Sequence, residues 1–356
     1  MIKSKRLISQ IERPLPETQE RSEILRLEKN ERTTLFSEED FKKMMKTITA
    51  FDLVPYAELE PFYKVVAEKL AIERTNLLIT AGSDVGIKSI FETFICEGDT
   101  VINYHPNYAM FSVYSKMFGA KEIQKTFNKD LVIDIDDLLD SINSLTRLVV
   151  ISNPGHNGVT ICEKNILSVL EKTKDTQTIV CIDEAYVDFS KVNMLKHIHT
   201  YKNLIITRTM SKAYGIASLR IGFLLGCKEI ISELYRVKNV HEIDGIAAKI
   251  GKYLFENPSI KDNYVNEVES AKEVLYRRLT ENGMIVFKSD TNFVYFNLNL
   301  EIDPYLVYEK LKSKNIFIKN PFKNDPIKGF LRTTIGTKKQ MNLFCDELID
   351  TLNQMK

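Results

Sequence analysis

The chain has 356 residues, of which 44% are hydrophobic and 27% are charged, and its formal net charge is +1. This length and composition predict an ordinary globular protein with room for two domains, each with its own core. The nearly balanced charge argues against a surface built for nucleic acid or an acidic membrane. No apolar run approaches the roughly 20 residues that cross a bilayer, and the N-terminus has no apolar core of the signal-peptide type. We therefore expect a cytoplasmic protein.

The cysteines and histidines show no pattern of a metal site. The five cysteines have no CxxC spacing and lie in apolar contexts, which is typical of reduced, buried thiols. The five histidines form no HExxH motif or other metal-type pair. We expect no bound metal.

The N-terminal region begins as a polar stretch of about 25 residues in which Pro14 and Pro16 lie close together. Such a stretch predicts an extended arm. A short piece with alternating apolar residues follows at 24–31, and within it Asn30 either caps the next segment or faces a ligand. Apolar residues at helical spacing then predict a helix over 57–70.

Short apolar strands alternate with helical patterns from residue 76 to residue 226. The strands are predicted at 76–80, 100–104, 147–152, 177–182, 204–206 and 221–226. Their apolar residues are continuous, which indicates an α/β fold whose mainly parallel central sheet is covered by helices on both faces. Ligands bind at the carboxyl ends of the strands in such sheets. We therefore expect the polar loops at 82–84, 105–108, 153–158, 183–186 and 208–212 to converge on one edge.

Several of these loops carry residues that allow two interpretations. Gly82, Ser83 and Asp84 at a helix start either offer backbone N–H groups to an anion or form an ordinary capped turn. Tyr108 is either a core residue or a flat surface for stacking. Asp183 follows a buried strand, where it is either an acid at a solvent-exposed strand end or a functional carboxylate.

Residues 207–220, TRTMSKAYGIASLR, place Lys212 among small and hydroxylated residues, with Arg220 eight positions later. A lysine held at a junction between a strand and a loop loses solvation. This loss lowers the pKa of its amine, as a lysine that forms a Schiff base requires. The hydroxyls and Arg220 suit a phosphate. On this segment alone, a solvated loop lysine is the alternative.

The last third of the chain predicts a second domain. The pattern from about 245 to 282 is that of a long connecting helix. Beyond it, strands at 285–287, 292–298, 316–318 and 330–336 and helices at 304–314 and 340–352 indicate a smaller α+β domain. We therefore expect an N-terminal arm that is part of the small domain (1–49), a large domain (50–250) and a small C-terminal domain (251–356).

Two stretches, CIDEAYVDF at 181–189 and RTMSKAYGIASLRIGF at 208–223, together resemble fold-type I enzymes of the aspartate-aminotransferase superfamily. The similarity extends from Leu27 to Gly336 and is greatest to the histidinol-phosphate aminotransferase group. It implies a homodimeric, pyridoxal-phosphate-dependent transaminase. By ping-pong transfer, an amino acid such as glutamate would give its amino group to a small, phosphorylated ketone. A pyridoxal-phosphate-dependent decarboxylase of a phosphorylated amino acid is the alternative on the same scaffold.

The resemblance also implies roles for individual residues. Lys212 would form the Schiff base and move a proton, Asp183 would pair with the pyridine nitrogen, and Tyr186 would bond the cofactor's 3-oxygen. The other implied cofactor contacts are Tyr108, which stacks on the ring, Ser83, Asp84, Thr209, Ser211 and Arg220, which hold the phosphate, and Tyr56, which reaches in from the neighbouring subunit. The implied substrate contacts are Arg332, which binds the carboxylate, with Asn30 and Asn292 nearby.

The chain departs from the family pattern in three places. The family's NPNNPTG loop reads NPGHNGV at 153–159. Here either His156 or Asn157 occupies the place of an asparagine that contacts the 3-oxygen, and we expect Asn157 because an amide donor suits that oxygen. No tyrosine precedes Tyr56 in the arm. The arginine expected after the strand at 316–318 is Lys319, which attracts a phosphate but lacks the two-pronged fork of arginine. These departures leave the aminotransferase chemistry intact and leave the substrate open between histidinol phosphate and another small phosphorylated ketone or amine.

Overall fold

The structure is a computed structural model that describes residues 4–12, 20–322 and 326–355. Pro14 and Pro16 of the expected arm lie outside the described residues. The strands are β1 Leu25–Leu27, β2 Leu77–Thr80, β3 Thr100–His105, β4 Lys121–Thr126, β5 Thr146–Ser152, β6 Ile179–Asp183, β7 Leu204–Thr209, β8 Gly222–Gly226, β9 Ile285–Val286, β10 Phe293–Asn297, β11 Ile316–Ile318 and β12 Leu331–Thr334. The helices are α1 Glu38–Met45, α2 Glu60–Leu70, α3 Gly82–Phe94, α4 Met110–Phe118, α5 Ile135–Ser141, α6 Glu163–Thr173, α7 Lys228–Tyr235, α8 Gly245–Glu256, α9 Ser259–Glu281, α10 Pro304–Ser313 and α11 Lys338–Asn353.

A central sheet joins the strands of the larger part of the described chain in the order β2-β8-β7-β6-β5-β3-β4. Neighbouring strands are parallel except at β8, which is antiparallel to both β2 and β7. Every residue of β2, β6 and β8 is buried. Continuous burial is why these strands carry unbroken apolar runs. The predicted α/β fold with a mainly parallel sheet is confirmed.

Helices cover both faces of this sheet because successive strand residues point to opposite sides. Val149 and Ile151 of β5 pack into a cluster with apolar side chains of α2, α6 and α8. Leu148 and Val150 of the same strand pack into a second cluster with α3, α4 and α7. Helices therefore cover both faces of the sheet, and the ends of its strands remain open to a ligand.

A third hydrophobic cluster organises the C-terminal part of the chain. It contains apolar side chains of α9, α10 and α11 and of the sheet β12-β10-β9. Leu27 belongs to the same cluster, and its strand β1 pairs in parallel with β11. The segment around residue 27 is thereby fixed next to residues about 290 positions away.

Three features differ from what the sequence pattern predicts. The expected long connecting helix is two helices, because Asn257 leaves the helical conformation and Pro258, which has no N–H to donate, takes the N-cap of α9. Helix α1, inside the expected arm, was not predicted; Ser37 caps it and three acidic residues follow in its first turn. Strand β4 was also not predicted. Within the described ranges, no helix has the length and apolarity of a membrane span.

Candidate active site

A cavity of about 190 Å³ lies where the loops after β2, β3, β5, β6 and β7 meet. The predicted convergence of these loops is confirmed. The predicted site residues in its wall are Ser83, Asp84, Tyr108, Asp183, Tyr186, Thr209, Ser211, Lys212 and Arg220. Lys29 and Glu31 of the N-terminal segment also line the cavity and were not predicted. The pairing of β1 with β11 helps to bring them here, and sequence spacing carries no signal of it.

Lys212 lies just after β7, in a turn that the backbone N–H of Gly215 closes by donating to the Lys212 carbonyl at 3.0 Å. Its Nζ donates to the carbonyl of Lys29 at 3.1 Å. Burial, reinforced by the positive charge of Arg332, lowers the pKa of Lys212 to about 8. An amine with this pKa is partly neutral near physiological pH, and the neutral amine is the nucleophile.

Asp183 ends β6 and is buried, so it does not terminate the strand in solvent. Its Oδ1 accepts hydrogen bonds from Thr207 Oγ1 at 2.9 Å and from the N–H of Ala185 at 3.2 Å. Ser152 Oγ is 3.5 Å from Oδ2, which therefore keeps capacity to accept a stronger bond. Burial raises the pKa of Asp183, whereas these hydrogen bonds and the charge of Lys212 lower it. The arrangement leaves one carboxylate oxygen able to accept from a cationic N–H.

The anion-binding end of the cavity depends on two glycines. Gly82 starts α3 with a φ of 82°, a conformation that costs glycine little. Gly222 lies against the backbone of Gly82 and Ser83 so closely that a Cβ on it would collide with both. Close packing here holds the first N–H groups of α3 at the cavity, where the positive end of the helix dipole favours an anion.

Hydroxyl groups and a guanidinium complete this end. Arg220 Nη1 donates to Ser211 Oγ at 3.4 Å and to the carbonyl of Ala217 at 2.9 Å. Thr209 Oγ1 donates to Ser211 Oγ at 3.0 Å. Helix N–H groups, hydroxyls and an arginine around one end of a cavity are the donors that a phosphate requires.

Aromatic side chains form the middle of the cavity. The ring of His156 is 6.4 Å from that of Tyr108, nearly parallel to it at 20°, and 5.8 Å from that of Tyr186. Burial, with the charge of Arg332, lowers the pKa of His156 to about 3, so its ring is neutral. Burial raises the pKa of Tyr186 to about 12, so its hydroxyl keeps its proton. Flat neutral rings and a phenol donor suit an aromatic ligand.

The structure corrects the expected position of Asn157. Its Nδ2 donates to the carbonyl of Leu131 at 2.6 Å, and its Oδ1 accepts from the N–H of Val159 at 3.3 Å. Asn157 is buried and turned away from the cavity. His156 lines the cavity instead, and its Nδ1 is buried with no hydrogen-bond partner among the described residues.

Two cations lie beside the cavity on the C-terminal part of the chain. Arg332 of β12 donates from Nη2 to the carbonyl of Glu28 at 3.2 Å, and its guanidinium centre is 5.0 Å from the Phe293 ring centre. Its Nε is buried with no partner in the described part of the chain. Lys319 is joined to it by a backbone hydrogen bond of 3.0 Å, and burial, together with the charges of Arg332 and Lys29, lowers the pKa of Lys319. These charges form a positive region suited to an anionic substrate.

Asn30 and Asn292 are not in the cavity wall, in contrast to the expected substrate contact. Both are buried. Asn30 Nδ2 donates to Tyr186 Oη at 2.9 Å, and Asn292 Nδ2 donates to the carbonyl of Asn30 at 3.0 Å. The two amides hold the N-terminal segment against Tyr186.

Tyr56 lies on the surface, away from the cavity of its own chain, with 75% of it exposed. Its ring stacks on His241 with the centres 3.8 Å apart. Exposed apolar side chains precede it in sequence: Phe51, Leu53 and Val54 are 70–84% exposed. A patch of this kind is typical of a surface that binds another protein.

Comparison with known proteins gives one family. A family model described as aminotransferase class I and II matches residues 38–348. A histidinol-phosphate aminotransferase of Brachyspira hyodysenteriae is 32% identical over 304 residues, 83% of each chain, and that of Caldanaerobacter subterraneus subsp. tengcongensis is 30% identical over 305 residues, 85% of each chain. The solved histidinol-phosphate aminotransferase of Sinorhizobium meliloti, in complex with pyridoxal-5′-phosphate, superposes with a TM-score of 0.91 at 20% identity over 100% of this chain and 99% of that chain.

Proposed function

The chain belongs to the class I and II aminotransferase family, and we propose that it transfers an amino group from an amino acid such as glutamate to a small phosphorylated ketone. Its cofactor is pyridoxal 5′-phosphate. One observation carries the proposal. Lys212, with its lowered pKa, and the buried carboxylate of Asp183 line the same cavity. The relatives named for histidinol phosphate support a phosphorylated partner.

The residues around the cavity fit this cofactor. The close contact that Gly222 allows leaves the N–H groups of α3 for the phosphate, with Arg220 beside them. Asp183 Oδ2 has acceptor capacity for a protonated ring nitrogen. The Nδ1 of His156 has no partner in the described part of the chain and would be available to the cofactor's 3-oxygen. Lys212 would hold the cofactor covalently through Nζ.

Bound pyridoxal phosphate supplies a cationic ring that stabilises the negative charge left at the substrate's α-carbon. Asp183 would keep the ring nitrogen protonated by offering it a buried carboxylate. The amine of Lys212 would move a proton to and from the substrate's α-carbon. Tyr186 would donate to the 3-oxygen, and Tyr108 would stack on the ring. The chain thus supplies binding, orientation and proton transfer.

Arg332 would bind the carboxylate of the amino-acid donor through its guanidinium, since two N–H groups match two carboxylate oxygens. Its Nε, which has no hydrogen-bond partner within the described ranges, and its position beside Lys212 support this role. Lys319 and Lys29 would attract the phosphate of the acceptor as point charges. A lysine at position 319 would bind a phosphate as a point charge, without the bidentate geometry of an arginine.

The active form would be a homodimer with Tyr56 reaching the phosphate of the neighbouring subunit's cofactor. The exposure of Tyr56 and of the apolar residues before it supports this arrangement.

We assign residues 50–250 to the large domain and residues 251–356 to the small domain, to which the arm contributes β1. All five cysteines are free thiols, which supports a cytoplasmic location because disulfides are rare there.

The acceptor can be identified from the second half of the reaction. The protein is first converted with glutamate to its amine form and freed of glutamate and 2-oxoglutarate. It is then mixed with phosphorylated ketones, including imidazole-acetol phosphate, and with the same ketones lacking phosphate. We expect a phosphorylated ketone to restore the visible absorption of the aldehyde form at least tenfold faster than its unphosphorylated match. Equal rates for each pair would contradict a phosphorylated acceptor.

A further inference from the structure

Asn30 joins three separate parts of the chain behind the cavity. It has a φ of 56°, in the left-handed region that asparagine tolerates better than most residues. Its side chain contacts Tyr186 of the loop after β6 and Thr334 of β12, and its carbonyl accepts from Asn292. A left-handed residue at a buried junction indicates a position fixed by its contacts.

The hydrogen bonds of Asn30 have fixed directions. Its backbone N–H donates to Thr334 Oγ1 at 3.0 Å, so the threonine hydroxyl uses its own proton toward Asn30 Oδ1, at 3.3 Å. The amide oxygen is thereby identified, and Nδ2 is the group that faces Tyr186 Oη at 2.9 Å. Asn30 therefore donates to the phenol oxygen, and the phenol proton has to be donated elsewhere.

Tyr186 lies in the cavity wall with this proton unused by Asn30. We propose that Asn30 is a positioning residue that makes Tyr186 a hydrogen-bond donor into the cavity, toward the 3-oxygen of the cofactor. This inference rests on the proposed function, since it needs the cofactor. Without the amide, the phenol can turn its proton toward the carbonyl and hydroxyl groups behind the cavity.

The consequence is a change in the protonation of the bound cofactor. A donor to the 3-oxygen stabilises the negative charge on that oxygen. This stabilisation weakens the hold of the oxygen on the proton shared with the neighbouring nitrogen. Losing the donor raises the pH at which the chromophore loses this proton, by roughly one unit for a hydrogen bond to a charged oxygen.

The test titrates the visible absorption of the purified, cofactor-loaded protein against pH. Asn30→Gly keeps the left-handed backbone and removes the amide. Asn299→Gly is the matched control, because Asn299 also has a positive φ (53°) but is exposed. We expect the midpoint to rise by roughly one unit in Asn30→Gly and to stay at the parent value in Asn299→Gly. Tyr186→Phe should give a similar rise, and adding Asn30→Gly to it should give no further rise.

A second pair of variants keeps the test decisive if Asn30→Gly does not fold. Thr334→Val removes the hydroxyl that orients the amide and should raise the midpoint, whereas Thr334→Ser keeps the hydroxyl and should restore the parent value. An unchanged midpoint in Asn30→Gly, or an equal rise from Asn30→Gly on the Tyr186→Phe background, would overturn the role of Asn30. Failure of the parent protein to show any visible band would instead overturn the proposed function.

Discussion

At the scale of single residues, Asp183 is buried, and its Oδ2 can still accept a strong hydrogen bond. We predict that Asp183→Asn lowers kcat by at least about a hundredfold, the size typical of a lost electrostatic contact to a reacting group. The amide cannot keep a ring nitrogen protonated. Steady-state rates with glutamate and an accepted ketone measure the loss, and circular dichroism checks the fold.

Asp188→Asn is the control for that change. Asp188 pairs with Lys261 at 2.7 Å, outside the cavity wall. Its amide variant should keep a rate within a few-fold of the parent. Comparable losses in both variants would mean that Asp183 contributes stability and not chemistry.

The lowered pKa of Lys212 predicts a pH dependence for cofactor attachment. Below about pH 8 the amine is mostly protonated and cannot attack the cofactor aldehyde, so the attachment rate of the cofactor-free protein should rise with pH through a midpoint near 8. Arg332→Met removes a positive charge that lowers this pKa, and should move the midpoint upward. Stopped-flow absorption measures the rate. Lys43→Met, on the exposed face of α1, should leave the midpoint unchanged; a rate independent of pH from 7 to 9 would contradict the lowered pKa.

Sequence identifies some of these residues better than others. Asp183 and Lys212 each lie within a continuous motif, so the family resemblance alone is enough to identify both residues. The choice between His156 and Asn157 depends on the direction of side chains in one loop. That direction depends on the carbonyl of Leu131, 26 residues away in sequence, which accepts a hydrogen bond from the Asn157 amide. Thr207 donates a hydrogen bond to Asp183 because the two residues are register partners in adjacent strands. The register of two strands cannot be read from the sequence of either strand.

At the scale of elements, the contact between β8 and the start of α3 builds the phosphate end of the cavity. We predict that Gly222→Ala weakens cofactor binding, because the new methyl group would push the backbone of Gly82 and Ser83 away. If overpacking of this kind costs the bound state about 1–3 kcal/mol, affinity falls by roughly 5- to 150-fold. Equilibrium titration of the cofactor-free protein with pyridoxal phosphate measures it.

Gly98→Ala provides the comparison. An added Cβ at Gly98 meets nothing within 4 Å, although its φ of 96° strains an alanine. This variant should lose thermal stability and keep the parent cofactor affinity. If both alanine variants lose affinity equally, the close contact between Gly222 and the start of α3 is not what holds the phosphate.

The elements that sequence predicts well are the buried ones. Apolar runs identify β2, β5, β6, β7 and β8 because both faces of these strands are covered. Strand β4, KEIQKT, lies at the edge of the sheet with three of its six residues exposed. Its only strongly apolar residue is Ile123, so its sequence has too weak a pattern to predict a strand.

At the scale of the whole molecule, the exposed surface around Tyr56 predicts a dimer. Val54 is 84% exposed, and a charge placed there would oppose burial against a second chain. We predict that Val54→Asp shifts the protein from two chains to one and loses cofactor on gel filtration. Tyr56→Phe should keep the dimer and only weaken cofactor retention. Light scattering gives the mass; a parent protein that is monomeric and retains its cofactor would contradict the shared site.

The central sheet and the C-terminal strands and helices follow from the sequence pattern along the chain, but the meeting of their residues at the cavity does not. Lys29, Arg332 and Lys319 come from segments about 300 residues apart, joined by β1, β11 and β12. Their positive charges come together only when these strands pair. This is why the chemistry follows from sequence and the identity of the acceptor does not.

The function proposed for this chain is amino-group transfer at a pyridoxal-phosphate site centred on Lys212 and Asp183. The most direct measurement adds glutamate alone to the purified, cofactor-loaded protein and follows absorption together with the products. We predict that the visible band of the aldehyde form is replaced by that of the amine form, with one 2-oxoglutarate produced per site and no carbon dioxide, and that Lys212→Ala abolishes the change. An unchanged spectrum in the presence of glutamate and every other common amino acid, or release of carbon dioxide in place of the keto acid, would contradict the account.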